Sequence, residues 1–455
     1  MYDHTFRVGY NRITVNPDES IPLTGFSNEP KRFHNEIGQP ICATCVAITD
    51  AEDNTVLMVG MDICVCDGFF MDIMDDISAL LNVPKDHIYM AGTHTHAAPA
   101  VGWRDEIPAA KRYADKFIEA IFTVCKEAMA DRKPASMFTG SIETENMNFV
   151  KHYKCISRTG PEISYIGDCF GDPNKVIYLE HATKADPTMH VTKFVREGGK
   201  DVVIANFRAH PHFDGGAQKY ILSSDYIGAF RNALESMVDC HSVYFQGAAG
   251  NINSSTRLPS ERRYTTAVSY GLGLAGFCAE CLAKRMSPVA TGTIRTSQVK
   301  FFGHINHTMD HLAEVGKRLR KQWNIDYDTE KCMKEASNYG IRSPFHAGAI
   351  WWNSERTDED DGWMILNAVA IGDDFAFVTF PGEMFDSISV RMEENSPFFT
   401  TMMLGYCGHH LGYLPSRVAY KYTSYETDIT RFAPGTGEMV ADKHVEMLNE
   451  LKNRK

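Results

Sequence analysis

No run in the 455-residue sequence reaches the ~18 consecutive apolar residues that a bilayer-spanning helix requires. The best apolar run, Thr55 to Met61, is strand-length and meets Asp62. The opening residues Met1-Tyr2-Asp3-His4-Thr5-Phe6-Arg7 have neither the basic start nor the apolar core of a secretion signal, so a cytoplasmic protein is expected. Lys/Arg-rich blocks are also missing. With 46 basic against 58 acidic residues the net charge is −12, which repels phosphate backbones and argues against nucleic acid as a partner. The chain lacks a Pro/Gly/Ser-rich linker and an internal repeat of solenoid length, so one domain over 1–455 is expected, with a less regular insertion at 303–362.

Cysteine is present but not as a disulfide framework. Twelve cysteines spread from Cys42 to Cys407 in a chain large enough to fold without staples. Cys42/Cys45 and Cys278/Cys281 have the C-x-x-C spacing of a four-thiolate zinc site. The first pair sits in a strand-like apolar run and the second in a helical one, so buried free thiols are the expectation.

The sequence is 44% hydrophobic, enough for a large core. Strand-like runs cover 55–61, 88–92, 190–195, 202–207, 243–246, 365–371 and 375–380. Helical patterns fall at 69–81, 109–132, 226–238, 261–286, 308–322, 384–394 and 439–451. In the second helix Tyr113, Phe117, Ile121, Val124 and Ala128 form one apolar stripe. Ser223-Ser224-Asp225 reads as a side-chain cap for the third. The alternation predicts an α/β (mixed α+β) fold, with central mixed sheets flanked by helices. The acidic run from Asp358 to Asp361 reads as a solvated turn, and Trp351-Trp352 as core or rim.

Gly271-Leu272-Gly273-Leu274-Ala275-Gly276 matches G-x-G-x-x-G, yet it lies inside a long helical pattern with no acid at the ribose-binding distance. Close helix packing explains it better than a dinucleotide site. The two H-x-H pairs are sharper. His94 and His96 follow one strand, and His210 and His212 follow another. In extended chain, residues two apart face the same way, so each pair offers two imidazoles beyond a strand end, where α/β sites lie. Imidazole is a zinc ligand and a proton carrier near neutral pH. Glu383, after the run 375–380, is a candidate oxygen donor. His409-His410 with Tyr406, Tyr413, Tyr420, Tyr422 and Tyr425 form a second polar-aromatic cluster, equally consistent with packing.

At these residues the chain resembles the catalytic domain of the neutral/alkaline, non-lysosomal ceramidases, which are zinc amidohydrolases. The resemblance runs from Val8-Gly9-Tyr10-Asn11-Arg12-Ile13-Thr14 and Pro22-Leu23-Thr24-Gly25-Phe26 through Gly92-Thr93-His94-Thr95-His96, Ala209-His210 and Ser223-Ser224-Asp225. It continues with Gln246-Gly247-Ala248-Ala249-Gly250-Asn251 and Pro381-Gly382-Glu383, then Gly412-Tyr413-Leu414-Pro415, Tyr420 and Tyr425-Glu426. It implies that His94, His210, Glu383 and Tyr413 hold one Zn2+ ion. It further implies that His96 stands close to the metal-bound water as proton and oxyanion residue, and that Tyr425 lines the site.

Two departures accompany it. Asn253 stands where ceramidases have a serine, which leaves Ser254 as the nearest hydroxyl. Asn148-Phe149-Val150-Lys151-His152-Tyr153 replaces a segment bearing an arginine, with Lys151 or His152 as the substitute cation. The chain also ends at Lys455 after its terminal helix, without the β-sandwich domain that follows in ceramidases. The expected function is therefore zinc-dependent hydrolysis of an amide, or next an ester or lactone, in a soluble small molecule. A metal-dependent lyase and a non-catalytic zinc-holding protein are the alternatives, and formation of a homo-oligomer is left open.

Overall fold

The computed structural model describes residues 5–26, 32–216, 219–290, 292–326 and 329–454; Met1 to His4, read above for a secretion signal, and Lys455 lie outside these. Eight strands build the larger sheet: β1 (Phe6–Thr14), β2 (Cys42–Thr49), β3 (Thr55–Met61), β4 (Ile88–Gly92), β5 (Lys133–Glu143), β6 (Thr188–Arg196), β7 (Asp201–Phe207) and β8 (Cys240–Gln246). They run in the order β8-β7-β6-β5-β1-β2-β3-β4, and the short strand Ser287–Pro288 adds to β5 as the ninth. The middle of the sheet is antiparallel. Both ends are parallel, β3 with β4 and β7 with β8. Parallel neighbours need a crossover, and helices α1 (Phe70–Leu81) and α3 (Asp225–Met237) supply it.

A second sheet contains β9 (Ile294–Phe302), β10 (Trp363–Ile371), β11 (Phe375–Thr379) and β12 (Thr400–Leu404), in that order. Its β11/β12 pair is again parallel and is bridged by a helix at Asp386–Glu394. The two sheets pack face to face. Val46, Met58, Tyr89, Phe194 and Phe245 from one share a core with Val369, Phe375, Phe377, Met402 and Leu404 from the other. Helices cover the outer faces, α1 and α2 (Pro108–Ala130) over one part of the larger sheet, and α3 with α4 (Ala267–Lys284) over another. The helices at Asp386–Glu394 and Thr436–Asn453 cover the smaller sheet. The molecule is thus layered helix, sheet, sheet, helix, as the alternating sequence pattern predicts. Among the described residues no helix is long and apolar enough to cross a membrane.

Local expectations meet the structure unevenly. Tyr113, Phe117, Ile121, Val124 and Ala128 of α2 are all buried, so its apolar stripe faces the sheet. The glycine motif lies within α4, and a Cβ on Gly271 would come 2.7 Å from Ala229 and from the backbone of α3, so it permits close helix contact. All twelve cysteines are free. The two C-x-x-C pairs lie in separate places, Cys45 in the core under α2 and Cys278 with Cys281 in the core under α4.

The cap expected at Ser223-Ser224-Asp225 is made by Ser223 and by Asp225, whose Oδ1 accepts from the Tyr226 amide at 2.7 Å, and not by Ser224. Ser224 donates its hydroxyl to the Pro40 carbonyl rather than capping, while the Ser223 hydroxyl accepts from the Asp225 amide. Asp225 itself takes a left-handed backbone, φ 55°. Segment 303–362 is far more regular than its polarity suggests. It connects β9 to β10 and contains the helices Ala313–Asp326 and Pro344–Ser354, with a small core of its own around Leu319, Trp323, Ala347 and Ile350. Its acidic run forms a helical turn rather than a loose one, and Asp358 accepts from the Ile305 amide at 2.7 Å.

Candidate metal centre

Each parallel strand pair delivers a polar side chain past the C-terminal end of a strand, the place where α/β proteins hold ligands. His94 follows β4, His210 follows β7 and Glu383 follows β11. The three converge in the interior. His210 Nε2 lies 3.1 Å from Glu383 Oε2, and His94 Nε2 lies 3.3 Å from the same oxygen. All three residues are buried.

The tautomers follow from the surroundings. His94 Nδ1 lies 2.7 Å from the Cys64 carbonyl, and His210 Nδ1 lies 2.9 Å from the Ile252 carbonyl. A carbonyl only accepts, so each Nδ1 carries the proton and each Nε2 presents a lone pair. Two lone pairs and a carboxylate oxygen then face one another with no donor between them, which demands a positive charge. Edges of 3.1–3.3 Å match the ~3.3 Å separation of donors about 2.0–2.1 Å from a tetrahedral zinc. The donor chemistry fits the ion that the sequence implies.

A proton can supply that charge where no metal ion does: burial pushes the His94 imidazole down, but the Cys64 sulfur and the Glu383 carboxylate outweigh it and hold it up at about 10, so that Nε2 takes the proton in place of the ion. Burial would raise Glu383, yet His94 and His210 keep it well below the usual carboxylate range. Burial, followed by Lys151, pushes His210 down to about 4. The group is therefore built around one cationic charge and otherwise neutral imidazoles.

Tyr413 stands beside Glu383, because the short strands Glu383–Met384 and Tyr413–Leu414 pair in parallel register at those two residues. Its ring meets that of Tyr425 edge-on at 6.1 Å. Lys151 is buried, with Nζ 3.0 Å from Glu426 Oε1 and 5.4 Å from the centre of the Tyr413 ring. His152 lies 3.1 Å from the other Glu426 oxygen. Lys151 is thus already paired, behind Tyr413 rather than free. His96 Nε2 is 3.0 Å from His94 Nε2. The fold brings His94, His210 and Glu383 into one group and gathers His96, Tyr413, Tyr425 and Lys151 around it.

The pleat is not what brings the two H-x-H pairs together. β4 ends at Gly92 and β7 at Phe207, so both pairs lie in loops, and His94 has a left-handed backbone, φ 64°. Asn253 is bridged to the backbone of His210 and donates its amide to Asp168 at 2.7 Å. Ser254 is buried and donates its hydroxyl to the His210 carbonyl at 2.8 Å.

Two solved ceramidase structures share this architecture. The crystal structure of neutral ceramidase from Pseudomonas aeruginosa aligns with a TM-score of 0.68 at 16% identity, over 99% of this chain and 75% of that one. The fold is ceramidase-like. A ceramidase complexed with C2 aligns with a TM-score of 0.71 at 15% identity, over 99% of this chain and 76% of the other. No protein-family model and no curated protein sequence matches the chain.

Within this ceramidase-like fold, three neighbours of the centre were given no role from sequence. Tyr406 stacks on His94, with ring centres 4.0 Å apart. His410 Nε2 lies 3.8 Å from Glu383 Oε1. Cys64 orients His94 through its carbonyl. Cys64 follows β3, the parallel partner of β4, so its place beyond a strand end was the available signal.

Proposed function

We propose that the protein is a zinc-dependent hydrolase that cleaves an amide bond, with an ester or lactone next in order, in a soluble small molecule. The carrying observation is the convergence of His94, His210 and Glu383, two oriented imidazole lone pairs and a carboxylate buried at a strand-end crevice. Tyr413, registered beside Glu383, completes the ligand set. A zinc ion there supplies Lewis acidity, polarising a carbonyl and making water acidic.

The side chains around it divide the remaining work. Burial, then the neighbouring His212 and His94, keep the His96 imidazole well below its ordinary value and hence neutral. A neutral imidazole takes a proton from the attacking water and returns it to the leaving amine. Tyr425 lines the approach and offers its hydroxyl to the developing oxyanion. Lys151, held by Glu426, fixes the Tyr413 ring from behind. The free cysteines support a reducing, cytoplasmic setting.

The test is metal analysis joined to a screen of amides, esters and lactones, run on zinc-loaded and metal-stripped protein. Hydrolysis that disappears on stripping and returns with Zn2+ is expected. Full metal content in both His94→Ala and His210→Ala, or no zinc-dependent hydrolysis across the screen, overturns the reading.

A further inference from the structure

We infer that His96 and His212 form a seat for a second divalent transition-metal ion, beside the one assigned to His94, His210 and Glu383. This rests on the proposed first position and goes beyond it. Besides the group already described, one ring nitrogen each of His96, His210 and His212 lie within 4.8 Å of one another. His210 belongs to the first ion, since its Nδ1 donates to the Ile252 carbonyl and its Nε2 faces Glu383. One lone pair serves one ion, which leaves His96 and His212 for another.

Those two residues hold nitrogens that the protein does not satisfy. His96 Nδ1 and His212 Nε2 are both buried without a hydrogen-bond partner. A buried polar atom in that state is costly, and native proteins rarely keep two in rings so close together unless something binds them. The ring centres are 4.2 Å apart.

The surrounding chain holds the pair in place. A Cβ on Gly25 would come 2.5 Å from His96 Cα, and one on Gly215 would come 2.8 Å from His96 Cβ, so both loops close tightly on that residue. Phe26 lies against both rings, with ring centres 5.1 Å from His96 and 5.6 Å from His212. Imidazoles without a carboxylate suit Zn2+, Co2+, Ni2+ or Cu2+ rather than Mg2+ or Ca2+. With fewer protein ligands and no anionic one, this ion binds more weakly than the first. A ligated imidazole keeps the N–H of its other nitrogen, so with this seat filled His96 only donates toward reacting atoms, and its service as a base belongs to protein with the second seat empty.

Equilibrium dialysis of chelator-stripped, full-length protein against Zn2+, with metal counted by mass spectrometry, tests this directly. Wild type should saturate at two ions per chain, the second more weakly held. His212→Ala and His212→Asn should each saturate at one, with the tighter affinity unchanged and the metal-free melting temperature close to wild type. Saturation of wild type at one ion, or two ions retained by both His212 variants, overturns the second seat. A single ion lost equally from His94→Ala and His212→Ala also overturns it, by making His212 a ligand of the first. Two ions retained by His94→Ala and by His210→Ala would instead refute the first position.

Discussion

His210 and Glu383 meet at 3.1 Å although they belong to different sheets, His210 following β7 of the larger one and Glu383 following β11 of the smaller. The centre therefore straddles the interface at which the two sheets share their core. A substitution that slides one sheet over the other changes the spacing of these candidate ligands without touching any of them.

Purified protein should carry about one tightly bound zinc per chain. His94→Ala and His210→Ala should each lower that content, because the remaining ligands hold the ion less firmly. Tyr413→Phe should weaken binding less than either, since it removes a neutral phenol whose ionisation burial opposes. Elemental analysis of the three variants after identical dialysis gives the order.

His96→Ala separates holding the tight ion from moving a proton. It should keep that zinc and lose turnover by roughly 10²-fold or more, the usual scale for a proton-transfer or oxyanion group. If instead it loses the tight zinc while His94→Ala retains it, the two roles are exchanged.

Ser254→Ala should keep most of its activity. The Ser254 hydroxyl is committed to the His210 carbonyl, so the variant loses one buried hydrogen bond, worth about 1 kcal/mol. Intact-mass spectrometry during turnover should show no acyl adduct. An adduct on Ser254 together with an inactive variant points to covalent chemistry.

Glu393 supplies a pH test away from the ligands themselves. Burial would raise its carboxyl, but Arg208 and then His190 outweigh that and hold it at about 2. Arg208 Nη2 lies 2.8 Å from Glu393, and Arg208 is buried two residues before His210. A depressed carboxyl contributes stability above its unfolded value of about 4.3, and loses it as pH falls toward the folded value. Glu393→Gln should cost about 3–5 kcal/mol near neutral pH by leaving Arg208 under-paired, and Asp186 at 3.1 Å softens that cost. Urea unfolding should show a steeper fall in stability between pH 5 and pH 2, both set by these bounds, for wild type than for the variant.

Much of this architecture is written in local patterns. β3 and β4 coincide with their predicted bounds, because short apolar runs between turn residues leave little choice. β1 and β9 carry no clear strand signal, since residues such as Arg7, Asn11, Arg12 and Lys300 interrupt their apolar pattern. Within 303–362 the pattern at 308–322 marks the helix Ala313–Asp326, while the helix Pro344–Ser354 and the core they share leave little trace for a related reason. That core needs only a few apolar residues, so charge dominates the sequence. His94, His210 and Glu383 were legible as residue types after strands, and Tyr413 only through the family resemblance. Their convergence was not, because it depends on sheet-to-sheet packing and on the left-handed backbone of His94, neither of which leaves a periodic trace. Lys151 shows the limit most plainly, as its ion pair with Glu426 joins segments far apart in the chain.

The placement of the ligands on two sheets also bears on biosynthesis. His94 and His210 leave the ribosome well before Glu383 and Tyr413, and the smaller sheet that carries Glu383 cannot close until β12 is made. A nascent chain therefore exposes its histidines without the carboxylate that completes the site. On the proposed reading metal loading is then a late, post-translational step, and a shortage of zinc during growth should yield folded apoprotein that can be charged afterwards rather than an unfolded chain.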